Sequence, residues 1–255
     1  HIDLNKKEEI KNSNNNKTNK KNKKDLFIFD FDHTILDGDT YREMLKLIPN
    51  WSQERENDMR IKAGNWFNFC EDVSKLFKKE NITVEKIKEH YKKFDFVKNF
   101  SELISFFREN KHKYDIIIVS GTFKIFIKFI LEQKNIEDIV SEIYATDSYI
   151  ENNFIKFLFP DILKRCMECQ FIICKKKYMK LIDLEKYEKI HYAGDGNNDY
   201  CPMLLLGEKD FVYPRMGFDL HDKLFKDGYQ KNIKAKIISW EDAKDILVNL
   251  NLNMN

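Results

Sequence analysis

Apolar positions along this chain follow two alternating spacings. Short continuous apolar runs stop at polar residues, and between them apolar residues recur every three or four positions. The continuous runs fall at 26–29, 114–120, 139–146, 190–194 and 210–213. Their β-branched and aromatic content predicts strands, of which 114–120 reads as a central one covered on both faces. The wider spacing predicts helices over 41–48, 65–77, 84–94, 124–133, 175–187 and 199–206. Ser101 is a candidate N-cap for one more helix, running to about residue 108. Pro49 and Gly64 punctuate the early helices. Strands alternating with helices imply an α/β fold with a doubly wound parallel sheet. Three or more helices separate the first two strands, too many for one crossover, so a separate helical cap is expected there. The expected layout is a tail over 1–24, a core over 25–39 and 96–255, and a cap over 40–95.

In open α/β sheets ligands bind beyond the C-terminal strand ends, and three predicted ends carry chemistry. The first run leads into Asp30 and Asp32, with Thr34 two positions on. Strand periodicity would place the two carboxylates on one face, where they repel unless a cation or a shared proton relieves them. The pair suits a Mg²⁺ site in which one carboxylate attacks and the other moves protons. The second end, Val119-Ser120-Gly121-Thr122, suits anion binding at a helix start, and equally an ordinary N-cap by Ser120 or Thr122. The third, Gly194-Asp195-Gly196-Asn197-Asn198-Asp199, offers Asp195 as a direct Mg²⁺ ligand and Asp199 through water or as a bracing group. Its plainer reading is an Asp-Gly turn. Lys175, Lys176 and Lys177 form a run that is either a solvated face or a source of charge for a phosphoryl group, with Lys175 first and Lys176 second.

Charge and cysteine usage narrow the class. The formal charge is +2, but residues 1–24 hold eight Lys against three acids, leaving 36 basic and 39 acidic residues in the remainder. The body therefore lacks the basic character of a nucleic-acid-binding domain. Residues 11–24 contain only Lys, Asn, Ser13 and Thr18, which predicts a disordered tail with at most a weak polyanion-binding role. No leader pattern or long apolar run is visible, so a cytoplasmic protein without a membrane span is expected. Five cysteines in a chain of this size argue against a disulfide framework. Cys166, Cys169 and Cys174 make a C-x2-C-x4-C cluster, three ligands where zinc usually takes four, with no His near in sequence.

Together these elements resemble the haloacid dehalogenase superfamily of phosphatases. Asp30-Phe31-Asp32-His33-Thr34 matches its D-x-D-x-T motif, Ser120 its second, Lys175 or a neighbour its third, and Gly194 to Asp199 its G-D-G-x-x-D. More specifically, the chain resembles the phosphoethanolamine/phosphocholine and pyridoxal phosphate phosphatases. It carries their D-F-D-H-T-I from Asp30 to Ile35 and C-x-x-C-x4-C-K-K-K from Cys166 to Lys177. It also carries G-D-G-x-N-D-x-C-P from Gly194 to Pro202 and P-R-x-G-[FY]-x-L from Pro214 to Leu220.

The resemblance implies an Mg²⁺-dependent phosphatase acting on a small phosphorylated metabolite. Asp30 would form an aspartyl-phosphate, and Asp32 would act as acid and then base. Asp30, the Asp32 carbonyl and Asp195 would hold the metal, Ser120 and Lys175 the phosphoryl group, and Thr34 would brace the loop. Where that family shows S-D-S-N, this chain has Ser120-Gly121-Thr122-Phe123, and Asp39-Thr40-Tyr41 keeps only the end of its S-D-T-W. Asp39, Gly121 and Thr122 are thus the expected substrate-side positions. The lost carboxylate, and Phe123 as a stacking partner, favour pyridoxal phosphate over phosphoethanolamine or phosphocholine. His33 and the aromatics Trp66, Phe67 and Phe69 read mainly as structural. The alternatives are a phosphoserine phosphatase-like enzyme and a catalytically silent binding protein.

Overall fold

The computed structural model describes residues 23–159, 166–169, 171 and 173–253, so residues 1–22 of the predicted tail over 1–24 lie outside the described residues. Lys23 and Lys24 already belong to the body. Their ammonium groups reach the Glu185 carbonyl and Asp115, both at 2.7 Å.

In chain order the elements are β1 (Asp25–Phe29), α1 (Thr40–Leu45), α2 (Gln53–Ala63), α3 (Trp66–Lys79), α4 (Val84–Tyr91), α5 (Phe100–Glu109), β2 (Tyr114–Phe123), α6 (Lys124–Lys134), β3 (Glu142–Thr146), β4 (Ser148–Glu151), β5 (Phe154–Phe157), α7 (Lys175–Met179), β6 (Ile190–Gly194), α8 (Tyr200–Met203), β7 (Phe211–Pro214), α9 (Asp219–Phe225), β8 (Lys236–Ile237) and α10 (Ala243–Leu252). Six strands form a parallel sheet in the order β3-β2-β1-β6-β7-β8. No described helix is long and apolar enough to cross a membrane.

The continuous apolar character of β1 has a direct cause. Phe27 and Phe29 point into one hydrophobic cluster with Phe100 and Phe107 of α5, while Leu26 and Ile28 point into a second with Met179, Tyr200 and Met203. Both faces of the sheet are covered, so period-two alternation carries no polar half. Each of these side chains, nearly or fully removed from water, contributes roughly 1.5–3 kcal/mol. The chain crosses outward from β1 in one direction to β2 and β3, and in the other to β6, β7 and β8. That reversal opens a crevice above the C-terminal ends of β1 and β6.

Several expectations change. Phe100–Glu109 starts one residue before Ser101, from Asn99 in a left-handed conformation and without a side-chain cap. The predicted helix over 175–187 stops at Met179 and resumes only as a single 3₁₀ turn, Leu184–Lys186, with Ile182 and Tyr187 buried and Leu181 facing solvent. The helix over 199–206 reduces to a 3₁₀ turn and α8. Helix α2 was not foreseen. It is mostly polar and buries only Glu56, so it lacks the three-to-four apolar spacing.

The cap helices are not separately cored. Phe69, Val73, Phe77, Ile87 and Tyr91 share one continuous cluster with Phe27, Phe29 and Phe126. An unforeseen hairpin, β4 and β5, turns through Asn152 and Asn153, both left-handed, and joins the cap. The Asn153 carbonyl accepts the Val84 N–H at 3.0 Å, and its amide donates to Glu85 at 2.8 Å.

Candidate active site

Strand β1 ends at Phe29, one residue before the first carboxylate, so strand periodicity does not govern the pair. The chain turns sharply through His33, which is left-handed with φ 55°, and the two aspartates go to different partners. Asp30 Oδ1 accepts the Phe31 N–H at 2.6 Å and the Lys175 ammonium at 2.7 Å. The Asp32 carboxylate turns toward α1, where Oδ1 accepts the Thr40 N–H at 3.0 Å and Oδ2 the Thr40 hydroxyl at 3.1 Å. Tyr91 donates to the Thr40 carbonyl at 2.8 Å, and the Thr40 and Thr122 hydroxyls lie 2.6 Å apart. One cap residue therefore positions Asp32, and Thr122 ties it to β2. Burial, then the neighbouring Asp39 charge, pushes Asp32 well above the ordinary carboxylate range, which favours its protonated form.

Lys175 opens α7 and is fully buried, 2.7 Å from both Asp30 and Asp199. Burial alone would lower its pKa, but the Asp199 and Asp30 carboxylates outweigh that and hold the ammonium charged. Of the lysine run, Lys176 instead pairs with Glu168 at 2.9 Å. Asp199 is braced on both oxygens. Oδ1 accepts Lys175 and the Tyr192 hydroxyl at 2.7 Å each, and Oδ2 accepts the Asp195 and Gly196 N–H groups at 3.2 and 3.0 Å. This packing explains Gly194, where a Cβ would sit 2.4 Å from Asp199 Cγ, a carboxylate that four hydrogen bonds prevent from yielding. Thr34 reaches Asp195 at 3.4 Å, the bracing contact expected of it.

Asp30, Asp195 and Asp199 each offer an oxygen within 4.8 Å of the others. Three buried carboxylates face one lysine. Burial, then Asp30 and Asp199, raises Asp195 to about 9, and burial lifts Asp199 to about 6 despite the opposing pull of Lys175. Hard oxygen donors with a surplus of negative charge fit Mg²⁺. Asp30 and Asp195 have the geometry of direct ligands, whereas Asp199 is already committed to the loop and the lysine. The Asp32 carboxylate stands outside the cluster, which leaves only its backbone carbonyl for a metal.

A cavity of about 930 Å³ opens over these groups, lined by Asp30, Asp32, Asp195, Ser120, Gly121, Thr122, His33 and Asp39 among others. Ser120 and Gly121 lie inside β2, not at its end. The pairing with β3 shifts register between Val119 and Phe123, and α6 begins only at Lys124 with no side-chain cap. The N-cap reading of Ser120 or Thr122 therefore fails. Gly121 approaches Asn198, whose Nδ2 lies 3.3 Å from where a Cβ would be. Asp39 caps α1 by accepting the Arg42 N–H at 2.8 Å. Phe123 is buried and lines the cavity, with its ring tilted against Phe157 at a centroid distance of 4.1 Å. Trp66 and Phe69 line the cavity, while Phe67 packs on Phe159.

Two arginines went unnoticed in the sequence. Arg60, on the unforeseen α2, spans the cap wall over Trp66 and Phe69 at 4.7 and 4.5 Å, paired with Glu56 at 2.6 Å. Arg215 donates to the His33 carbonyl at 2.5 Å and stacks on Phe218 and Trp240, locking the turn after Asp30. The only trace of Arg215 was the P-R-x-G run; Arg60 had none.

The family described as "Putative Phosphatase" matches residues 25–253. The chain is 27% identical over 229 residues to the pyridoxal phosphate phosphatase of Bos taurus, covering 87% of this chain and 95% of that protein. It is 23% identical to the human phosphoethanolamine/phosphocholine phosphatase, covering 88% of this chain and 87% of that one. A phospho-aspartyl intermediate analogue of phosphoserine phosphatase superposes with a TM-score of 0.56 at 19% identity, covering 89% of this chain and 99% of that chain, a likeness of fold.

Proposed function

This chain belongs to the "Putative Phosphatase" family and is a phosphatase of the haloacid dehalogenase superfamily; on that premise we propose that it hydrolyses a small phosphomonoester, pyridoxal phosphate in preference to phosphoethanolamine or phosphocholine, through an aspartyl-phosphate on Asp30. The observation that carries this reading is the separation of the two aspartates. Asp30 is bound to Lys175 in the carboxylate cluster, and Asp32 is held by Thr40 on the cap side with its proton affinity raised.

Each residue's task follows from its contacts. Asp30 Oδ1 is engaged by Phe31 and Lys175, which leaves the second oxygen to attack phosphorus. Lys175, 2.7 Å from Asp30, offsets charge as the phosphoryl group arrives. Ser120 and Gly121 line the cavity, and there they would hold the phosphoryl group. Asp32, predisposed to carry a proton, gives it to the leaving alcohol and then takes one from the water that cleaves the acyl phosphate. Mg²⁺, held by Asp30, Asp195 and the Asp32 carbonyl, would neutralise charge on the phosphoryl oxygens. Asp199 keeps Lys175 and the Asp195 loop in place.

Substrate choice rests on the cavity's far wall. Gly121 adds no carboxylate on the β2 side, and on the far, cap side the aromatic surface of Trp66 and Phe69 is covered by the Arg60 guanidinium. A quaternary ammonium would meet a cation where it needs an open aromatic face. Phosphate release from pyridoxal phosphate, phosphoethanolamine, phosphocholine and phosphoserine is the test. The expected result is a kcat/KM for pyridoxal phosphate at least about tenfold above the others, a difference of 1.4 kcal/mol. Equal or faster turnover of phosphocholine or phosphoserine would overturn the preference.

Metal dependence has a pH signature. Without metal, folded Asp195 holds its proton up to about 9 whereas an ordinary Asp releases it near 3.8. The native state thus binds more protons than the unfolded state across that window, and stability falls as pH rises through it. Mg²⁺ must displace that proton, so the rise in Tm on adding Mg²⁺ to EDTA-treated protein is expected to grow with pH across the same window. A Tm increment independent of pH would count against Asp195 as a ligand.

A further inference from the structure

We propose that Cys166, Cys169, Cys174 and Cys201 form a tetrathiolate site for one zinc ion, which fastens the 166–174 loop to α8 beside the carboxylate cluster. All four sulfurs lie within 4.8 Å of one another, and Cys166 and Cys201 are 3.9 Å apart. A tetrahedral ion with Zn–S bonds of about 2.3 Å needs sulfurs about 3.8 Å apart. All six mutual separations, none above 4.8 Å, leave one point between the sulfurs for a single ion. Two disulfides would draw them into pairs, and a multi-iron cluster would spread them further.

The fourth ligand is the one that sequence spacing concealed. Cys201 lies two residues beyond Asp199, and the packing of α7 against α8 brings it to the loop. The Cys166 N–H donates to the Phe171 carbonyl at 3.0 Å, closing the loop into a turn, and the Glu168 and Cys169 backbones hydrogen-bond back to the Cys166 sulfur. The Lys176 backbone does the same for Cys174. Backbone donors aimed at sulfur are the outer partners that orient a metal-bound sulfur, and zinc binding would release the thiol protons to solvent. Lys176 adds a nearby positive charge to offset the anionic site, while Glu168 holds Lys176 in place.

Cys174 immediately precedes Lys175, so the ion would anchor the start of α7 and with it the buried ammonium. Cys169, Phe171 and Ile173 line the cavity, and the same ion would hold that wall. The inference is independent of the reaction and substrate assigned above.

The test is metal analysis of the full chain, expressed with zinc present and washed with EDTA. The expected content is about one zinc per chain, with cobalt exchange giving thiolate-to-cobalt charge transfer and the strong visible bands of a tetrahedral site. Cys169→Ser should lower retained zinc at least about tenfold, whereas Cys70→Ser, in the cap core, should keep it. Should Cys169→Ser fail to fold, the wild-type zinc content and cobalt spectrum still decide. Wild-type protein with less than about a tenth of an equivalent of zinc, cobalt protein without charge transfer, iron in place of zinc, or an intact mass showing disulfides would each overturn the proposal.

Discussion

Asp30→Asn is expected to lower kcat by more than about 10⁴-fold while the protein remains folded. Asparagine keeps the shape and can still accept the Phe31 N–H, but it offers no anionic oxygen to attack phosphorus. The same substitution removes one of three carboxylates crowded at the crevice. Asp30 is the largest charged neighbour raising Asp195. In EDTA at neutral pH the variant should therefore melt no lower than the parent, and its Asp195 should titrate closer to the ordinary range. Phosphate release and thermal melting are measured on one preparation. Retained turnover would overturn Asp30 as nucleophile. Lost turnover with a collapsed Tm would show that the side chain acts mainly as scaffold.

Lys175→Met is expected to be the most damaging change to stability, about 3–5 kcal/mol in chemical denaturation. Methionine fills similar volume, so the loss isolates charge from packing. Lys175 is completely buried and contacts two carboxylates at 2.7 Å, and without it Asp30 and Asp199 lose their shared counter-charge. Asp199 would then titrate higher and release its hold on the Asp195 loop. Combining Lys175→Met with Asp30→Asn should recover part of the loss, because removing one uncompensated charge relieves what removing its partner created. A single-variant cost below about 1 kcal/mol, or strictly additive effects, would mean that the ammonium is not the counter-charge of this site.

How much was legible from sequence can be traced residue by residue. The strand runs were readable because a parallel sheet covered on both faces demands continuous apolar residues, as Leu26 to Phe29 illustrate. The chemistry at the strand ends was readable because charges interrupting such runs have no packing reason. What escaped was either polar or distant in sequence. Helix α2 buries almost nothing, so it left no periodicity, and Arg60 went with it. Asp30 and Asp32 seemed to share a face because the turn at His33 was invisible in a string of letters.

The sequence by itself determined five strands of the main sheet (β1, β2, β3, β6 and β7), the carboxylates that follow two of them, and the family likeness, because burial pattern and motif spacing are local properties. Only the tertiary structure decided which partner each charge takes. It sent Asp32 to Thr40 and away from Asp30, placed Lys175 and not Lys176 against the nucleophile, set Arg60 over the cap aromatics, and brought Cys201 to three distant cysteines. Those outcomes depend on long-range packing, through which side chains far apart in the chain share one desolvated space. There the strength of a charge or a thiol is set by its neighbours in space.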